Sequence, residues 1–333
     1  MGDEASRSFL RRLLGAAVLL FVAVGVPMLA TLPLGVEFAA PAVLVAAFSL
    51  VLSMNAGWRR TLAAAPAMVV ASALTAWTGG SGWWVLVIAL LGVCVGLAAR
   101  YGWAAAAVLV GFVASGMAPA EDVSWTRLAV MAAAALYAVA VARALHLPES
   151  VPGVSLPWRQ ALIAAGVFGA VTGLAALVAR AVELPIASWL PATAFILVLP
   201  TAELTLGQRA VHRVAGTALG ALVAVAIGAV PLVRGLAASL ALLALLLCLV
   251  FPRPLWRSAA FATTAVMLLL GSTMGTSAAA AERVWAVVVA VVLVLLGAAL
   301  AAGLARIIPH EAAEVAADGA RARRREVEAE PAG

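Results

Sequence analysis

Apolar runs of about twenty residues follow one another along almost the whole chain, and the polar breaks between them are only a few residues long. A run of that length crosses a hydrocarbon layer as a helix, whereas a soluble fold would have no polar layer with which to cover so many. Twelve such segments can be marked, near residues 10–30, 36–54, 61–78, 83–99, 102–118, 126–145, 160–179, 186–200, 213–230, 235–251, 258–274 and 284–305. Composition agrees: 65% of the 333 residues are hydrophobic and 11% are charged, which excludes a soluble domain. The expected fold is an all-α membrane protein of about 12 transmembrane helices without a large soluble domain.

The charges orient these segments. All 21 basic residues are arginine. A net charge of +6 would suggest a nucleic-acid partner in a soluble protein, but here the positive-inside bias accounts for it. With both termini in the cytoplasm, 17 arginines lie on the inner side. Only Arg127, Arg180, Arg234 and Arg283 lie outside. Tryptophans fall at the same boundaries: Trp58, Trp103, Trp158 and Trp256 inside, and Trp77, Trp83, Trp84, Trp125, Trp189 and Trp285 outside. Such rings form interfacial belts. The expectation is a multi-pass protein of the plasma (inner) membrane.

An offset of 153 residues lays Arg60 on Arg213, Arg100 on Arg253 and Trp103 on Trp256, and an offset of 156 lays Arg127 on Arg283. This predicts two six-helix repeats in the same orientation, related by a pseudo-twofold axis along the membrane normal. The first covers 1–147 and the second 159–306; a Pro-rich cytoplasmic linker at 148–158 joins them, and a charged cytoplasmic tail follows at 307–333. The repeat also argues against a cleaved signal peptide at 1–30, because that span has an internal counterpart at 160–179.

The stretch QRAVHRVAGTALGALVAVAIG, residues 208–228, is the most informative. Arg209, Arg213, Gly216, Gly220 and Ala224 fall along one helical stripe. The glycines admit a neighbouring helix closely, Thr217 offers a hydroxyl, and Arg213 would be held near the repeat axis with Arg60 facing it. Guanidinium groups there would gather cytosolic anions and grip carboxylates bidentately. With its flank, WLPATAFILVLPTAELTLGQRAVHRVAGTALGALVAV resembles the core of the fusaric-acid-resistance-like (FUSC) membrane transporters, related to the aromatic acid exporters. The carriers are the run ending at Pro200, the turn with Thr201 and Thr205, and Arg213 followed by Gly216, Thr217 and Gly220; the similarity is clearest over 185–300. The first half is similar only through the repeat, with Ala63 and Ala64 in place of the Gly-Thr pair. The resemblance implies efflux of organic, often aromatic, carboxylates.

The expected substrate pathway, between the two repeats, therefore comprises Arg60, Arg213, Gly216, Thr217, Gly220, Pro200, Thr263 and Thr264. Pro200 would break a span, and the two threonines are the most polar pair deep in any segment. Acids are absent from the bilayer middle; Glu203 and Glu282 are the nearest candidates for coupling, and Arg127 and Arg283 for an outer gate. Glu282–Arg283 and Asp122–Arg127 are expected to pair locally. Without a central titratable group, the membrane potential is the expected driving force for an exported anion. The rival readings are a carrier of lipid-like or drug substrates, with a wide apolar cavity open to the bilayer, and a membrane assembly partner that transports nothing. No enzyme, cofactor or metal site is expected: HEAAE at 310–314 lacks the second His of a zinc helix, and GGSGWW at 79–84 follows no strand. The expected partners are a small organic anion and membrane lipids, not nucleic acid, and a homo-oligomer is compatible with these features.

Overall fold

The computed structural model describes residues 13–116, 123–145, 155–198, 204–230, 234–251 and 253–307. Among them there is no strand, and the helices are α1 (Leu13–Leu34), α2 (Val36–Ala56), α3 (Trp58–Thr78), α4 (Trp83–Ala99), α5 (Ala104–Ser115), α6 (Trp125–Ala144), α7 (Trp158–Ala181), α8 (Trp189–Val198), α9 (Leu206–Gly228), α10 (Arg234–Val250), α11 (Leu255–Met274) and α12 (Thr276–Ile307). Six are long and apolar enough to cross a membrane: α1, α3, α6, α7, α9 and α12. The others carry shorter apolar stretches of 10–17 residues.

Local chemistry sets the breaks. Gly57, Gly102 and Gly275 take positive φ between successive helices, where a side chain would be strained. The Ser124 hydroxyl caps α6 by accepting from the Arg127 amide at 3.2 Å. Pro157 stands before α7, where its missing N–H costs nothing.

The helices approach through small residues, as they must where lipid is as apolar as leucine and burial alone gives no drive. The most extensive seam joins α4 to α7. The two run antiparallel, since the Leu156 amide reaches Ala99 O at 3.0 Å and the Arg180 guanidinium reaches Ser81 O at the other end. A Cβ on Gly96 would collide with the backbone of Ala165. A second junction between the halves sets α5 against α8, where the Phe195 ring occupies the space beside Gly111. Large side chains such as Leu174, Leu222 and Leu296 point outward from the bundle.

Several helix neighbours recur between the two halves of the chain, although α2 on α5, α3 on α4 and α11 on α12 have no counterpart of similar extent. In the first, α3 packs on α5 and α6, α4 on α5, α2 on α6 and α1 on α2. In the second, α9 packs on α11 and α12, α10 on α11, α8 on α12 and α7 on α8. Two tryptophans depart from the expected belt. Trp84 and Trp189 are 5% and 9% exposed and belong to the core, whereas Trp77, Trp83 and Trp125 are exposed as anticipated. The reason is the crowding of α4 and α8 by neighbouring helices on several sides.

Candidate functional site

Helix α8 is the unusual element. Of its residues within the described range, Trp189–Val198, eight of ten are buried. Its continuation, with Pro200 and Glu203, lies outside the described residues. Around α8 stand α5 of the first half and α7 and α12 of the second, with α9 touching it lightly.

Helix α9 begins earlier than hydropathy predicts. The Thr205 hydroxyl accepts from the Gln208 amide at 3.3 Å, and Gln208 Oε1 accepts from the Thr205 amide at 3.0 Å. This reciprocal cap starts the helix at Leu206 rather than near 213. Arg209, His212 and Arg213 thus belong to the helix itself. Arg213 is half-buried, and its Nε has no hydrogen-bond partner. One turn on, Thr217 is 1% exposed with an unpartnered Oγ1, and the Nδ1 of His212 is likewise buried without a partner.

Arg283 approaches the same interior from α12. Its Nη1 donates to Thr193 Oγ1 at 3.3 Å, and its guanidinium lies 5.2 Å from the centroid of the Trp189 ring. Thr193 in turn donates to Trp189 O at 2.7 Å. Arg213 stands on α9, which packs along α12. Gly228 of α9 meets Thr276 of α12, so the two helices run antiparallel and the arginines stand about 12 Å apart along the bundle axis. Two like charges in a low-dielectric interior repel unless an anion lies between them.

Glu282 does not pair with Arg283, contrary to expectation. Its Oε1 accepts from the Ile186 amide at 2.7 Å, and its Oε2 is buried without a partner. Adjacent helical residues point about 100° apart, so Glu282 turns to the segment before α8 while Arg283 turns to α8 itself. Together they fasten the start of α8 to α12.

The remaining candidates lie elsewhere. Arg60 rests 5.9 Å from the Trp103 ring, in the first half, and α3 has no extensive packing on α9. Gly216 and Gly220 lie in the α9–α11 seam, where a Cβ would collide with the Trp256 and Ala260 carbonyl oxygens. Thr264 donates to Gly220 O at 3.1 Å across that seam, and Thr263 is buried beside it. Arg127 is half-buried at the start of α6; Asp122, its expected partner, is outside the described residues.

Below Arg213, a cleft of about 500 Å³ opens between α7, α8, α9 and α12. Among the described residues its walls are apolar, including Val167, Val171, Val198 and Val294, with Gln160 and Arg209 as the polar lining. Sequence reasoning missed Trp189, Thr193 and Gln160 as site residues, and it placed Arg209 on the basic stripe of α9 without including it in the pathway. The spacing of Trp189 and Thr193, one turn apart in an otherwise apolar run, was the available clue.

Residues 174–297 match the family model described as fusaric acid resistance protein-like. The second half carries a FUSC-like segment. No curated protein and no solved structure matches the chain. The FUSC-like segment contains Thr193, Arg213, Thr217, Glu282 and Arg283, so the arginine column falls within the matched residues, whereas Arg60 does not.

Proposed function

We propose that this chain is a transporter exporting organic, chiefly aromatic, carboxylate anions across the plasma membrane, with the anion passing Arg213 and then Arg283 beside helix α8. One observation carries the reading: on α9 the Arg213 Nε and, one turn on, the Thr217 hydroxyl are buried and unpartnered, while Arg283 enters from α12, which packs along α9. Buried donors without partners are costly and rare, and a carboxylate satisfies both.

The two six-helix repeats belong to the same proposal. They are supported by the recurring neighbour pattern and by the long helices standing first, third and sixth in each half. Twelve crossings with cytoplasmic termini place Arg209 and Arg213 toward the cytosol and Arg283 toward the outside, so a potential negative inside drives the anion outward.

The test is efflux of a labelled aromatic carboxylate from vesicles holding the purified protein, with pH gradient and membrane potential clamped separately. Efflux that follows the potential and is lost in Arg213→Gln supports the proposal; efflux equal to that of empty vesicles overturns it. Glu282→Gln separates the driving forces, since an amide oxygen still accepts from Ile186. The expected result is unchanged potential-driven efflux. A loss confined to efflux driven by a pH gradient would make Glu282 the proton carrier instead.

A further inference from the structure

We infer that the cleft between α7, α8, α9 and α12 seats the hydrocarbon chain of a single-chain amphiphilic carboxylate, which enters from the bilayer with its carboxylate at Arg209. Binding rests on the cleft alone; passage of the bound anion across the membrane rests on the anion-transport reading.

Polarity is distributed along the cleft in the manner of an amphiphile. Gln160 and Arg209 mark one end; Ile163, Val167, Val171 and Val294 carry the apolar shaft away from it. From Gln160 to Val171 the shaft runs about 16 Å along α7. Near its far end α12 closes on α7, because Gly297 has no Cβ to hold off the side chains of Val171 and Val167. A volume of about 500 Å³ is that of a small-molecule site. Two phospholipid chains exceed one such shaft, and a compact aromatic acid leaves most of it empty, losing dispersion contacts along its walls.

Charge selects the head group. A guanidinium beside an apolar shaft at the membrane is best matched by an anion, and its planar fork fits a carboxylate bidentately. The mouth is open laterally: Gln160 and Ala302 are exposed, and Ile163 and Ala301 are half-exposed. Arg213 lies one turn beyond Arg209 on the same face of α9, so a carboxylate bound at the mouth is positioned for the arginine column.

The experiment uses the full chain in vesicles of uncharged phospholipid, with a dodecanoate carrying a photoreactive terminal carbon. Labelling is expected on α7 and α12 around Val171 and Val294. Unlabelled dodecanoate should compete, and dodecanol should not. Arg209→Gln should weaken labelling about tenfold, with partial recovery in Arg209→Lys. Ala298→Phe should block the shaft, and Ala302→Phe at the exposed rim provides a second obstruction in case the first fails to insert. Labelling spread over α1 and α10 and indifferent to both obstructions overturns the inference, as does equal competition by dodecanol or by an anionic phospholipid. If short aromatic efflux depends on Arg213 while the shaft stays unlabelled, only this inference falls. If efflux is indifferent to Arg213 while labelling remains specific, the transport reading falls and the cleft stands.

Discussion

The two halves of the chain share several helix neighbours but treat buried polar groups differently. In the first half the hydroxyls are mostly satisfied locally: Thr75 donates to Ala114 O at 2.7 Å, Ser53 to Ser49 O at 2.9 Å and Ser115 to Gly111 O at 2.6 Å. Arg60 lies against an indole ring. Among the described residues Ser72 Oγ is the exception there, whereas His212 Nδ1, Arg213 Nε, Thr217 Oγ1 and Glu282 Oε2 are all buried without partners in the second half. Unsatisfied polar groups cost stability and persist where function uses them. On the proposed reading, the first half mainly packs and the second half holds the site.

The largest expected effect tests that division directly. Arg213→Gln removes the charge from the half-buried position proposed to bind the anion, and efflux of an aromatic carboxylate should fall by about thirtyfold or more. Arg60→Gln, at the aligned position in the first half, should lower efflux less than threefold, about the effect of a lost exposed contact. Equal losses would erase the contrast and restore a route with both arginines in it. Arg283→Gln should resemble Arg213→Gln, and it would also loosen α8 by releasing Thr193 and Trp189.

The next effect is structural. Gly216 meets the Trp256 carbonyl so closely that Gly216→Val must push α9 from α11. Overpacking of this kind costs about 1–3 kcal/mol, read as a lowered thermal unfolding midpoint in detergent. Ala63, its aligned residue in α3, is exposed, so Ala63→Val should leave the midpoint unchanged. A similar fall in both would mean that α3 is enclosed in the membrane by something beyond this chain.

Much of this architecture was legible because hydropathy acts over twenty residues at a time: each expected segment contains a helix, and the arginine stripe of 209 and 213 lies on one face as its spacing required. The finer errors have local or long-range causes. The start of α9 depends on a two-residue cap, Thr205 with Gln208, that hydropathy does not weigh. Glu282 looked like a partner for Arg283 because they are neighbours in the chain, yet its bond goes to Ile186, 96 residues away. The burial of Trp189 and the cleft arise where helices distant in sequence converge, and no short window contains them.

The smallest effect gives the sharpest comparison, since it opposes two threonines of the same kind. Thr75 of α3 is fully buried and donates to the Ala114 carbonyl of α5, so Thr75→Val leaves that contact unmade and should cost about 1 kcal/mol. Thr217 of α9 is as deeply buried, but its hydroxyl has no partner. Thr217→Val therefore removes a desolvation penalty without removing a bond, and the unfolding midpoint should hold steady or rise. Efflux should move the opposite way, unchanged for Thr75→Val at equal insertion and reduced severalfold for Thr217→Val, because a hydroxyl kept unsatisfied at rest is available to a passing carboxylate. A destabilised Thr217→Val with normal efflux would show that the hydroxyl is a packing group with its own partner, and the distinction between the halves would then rest on the arginines alone.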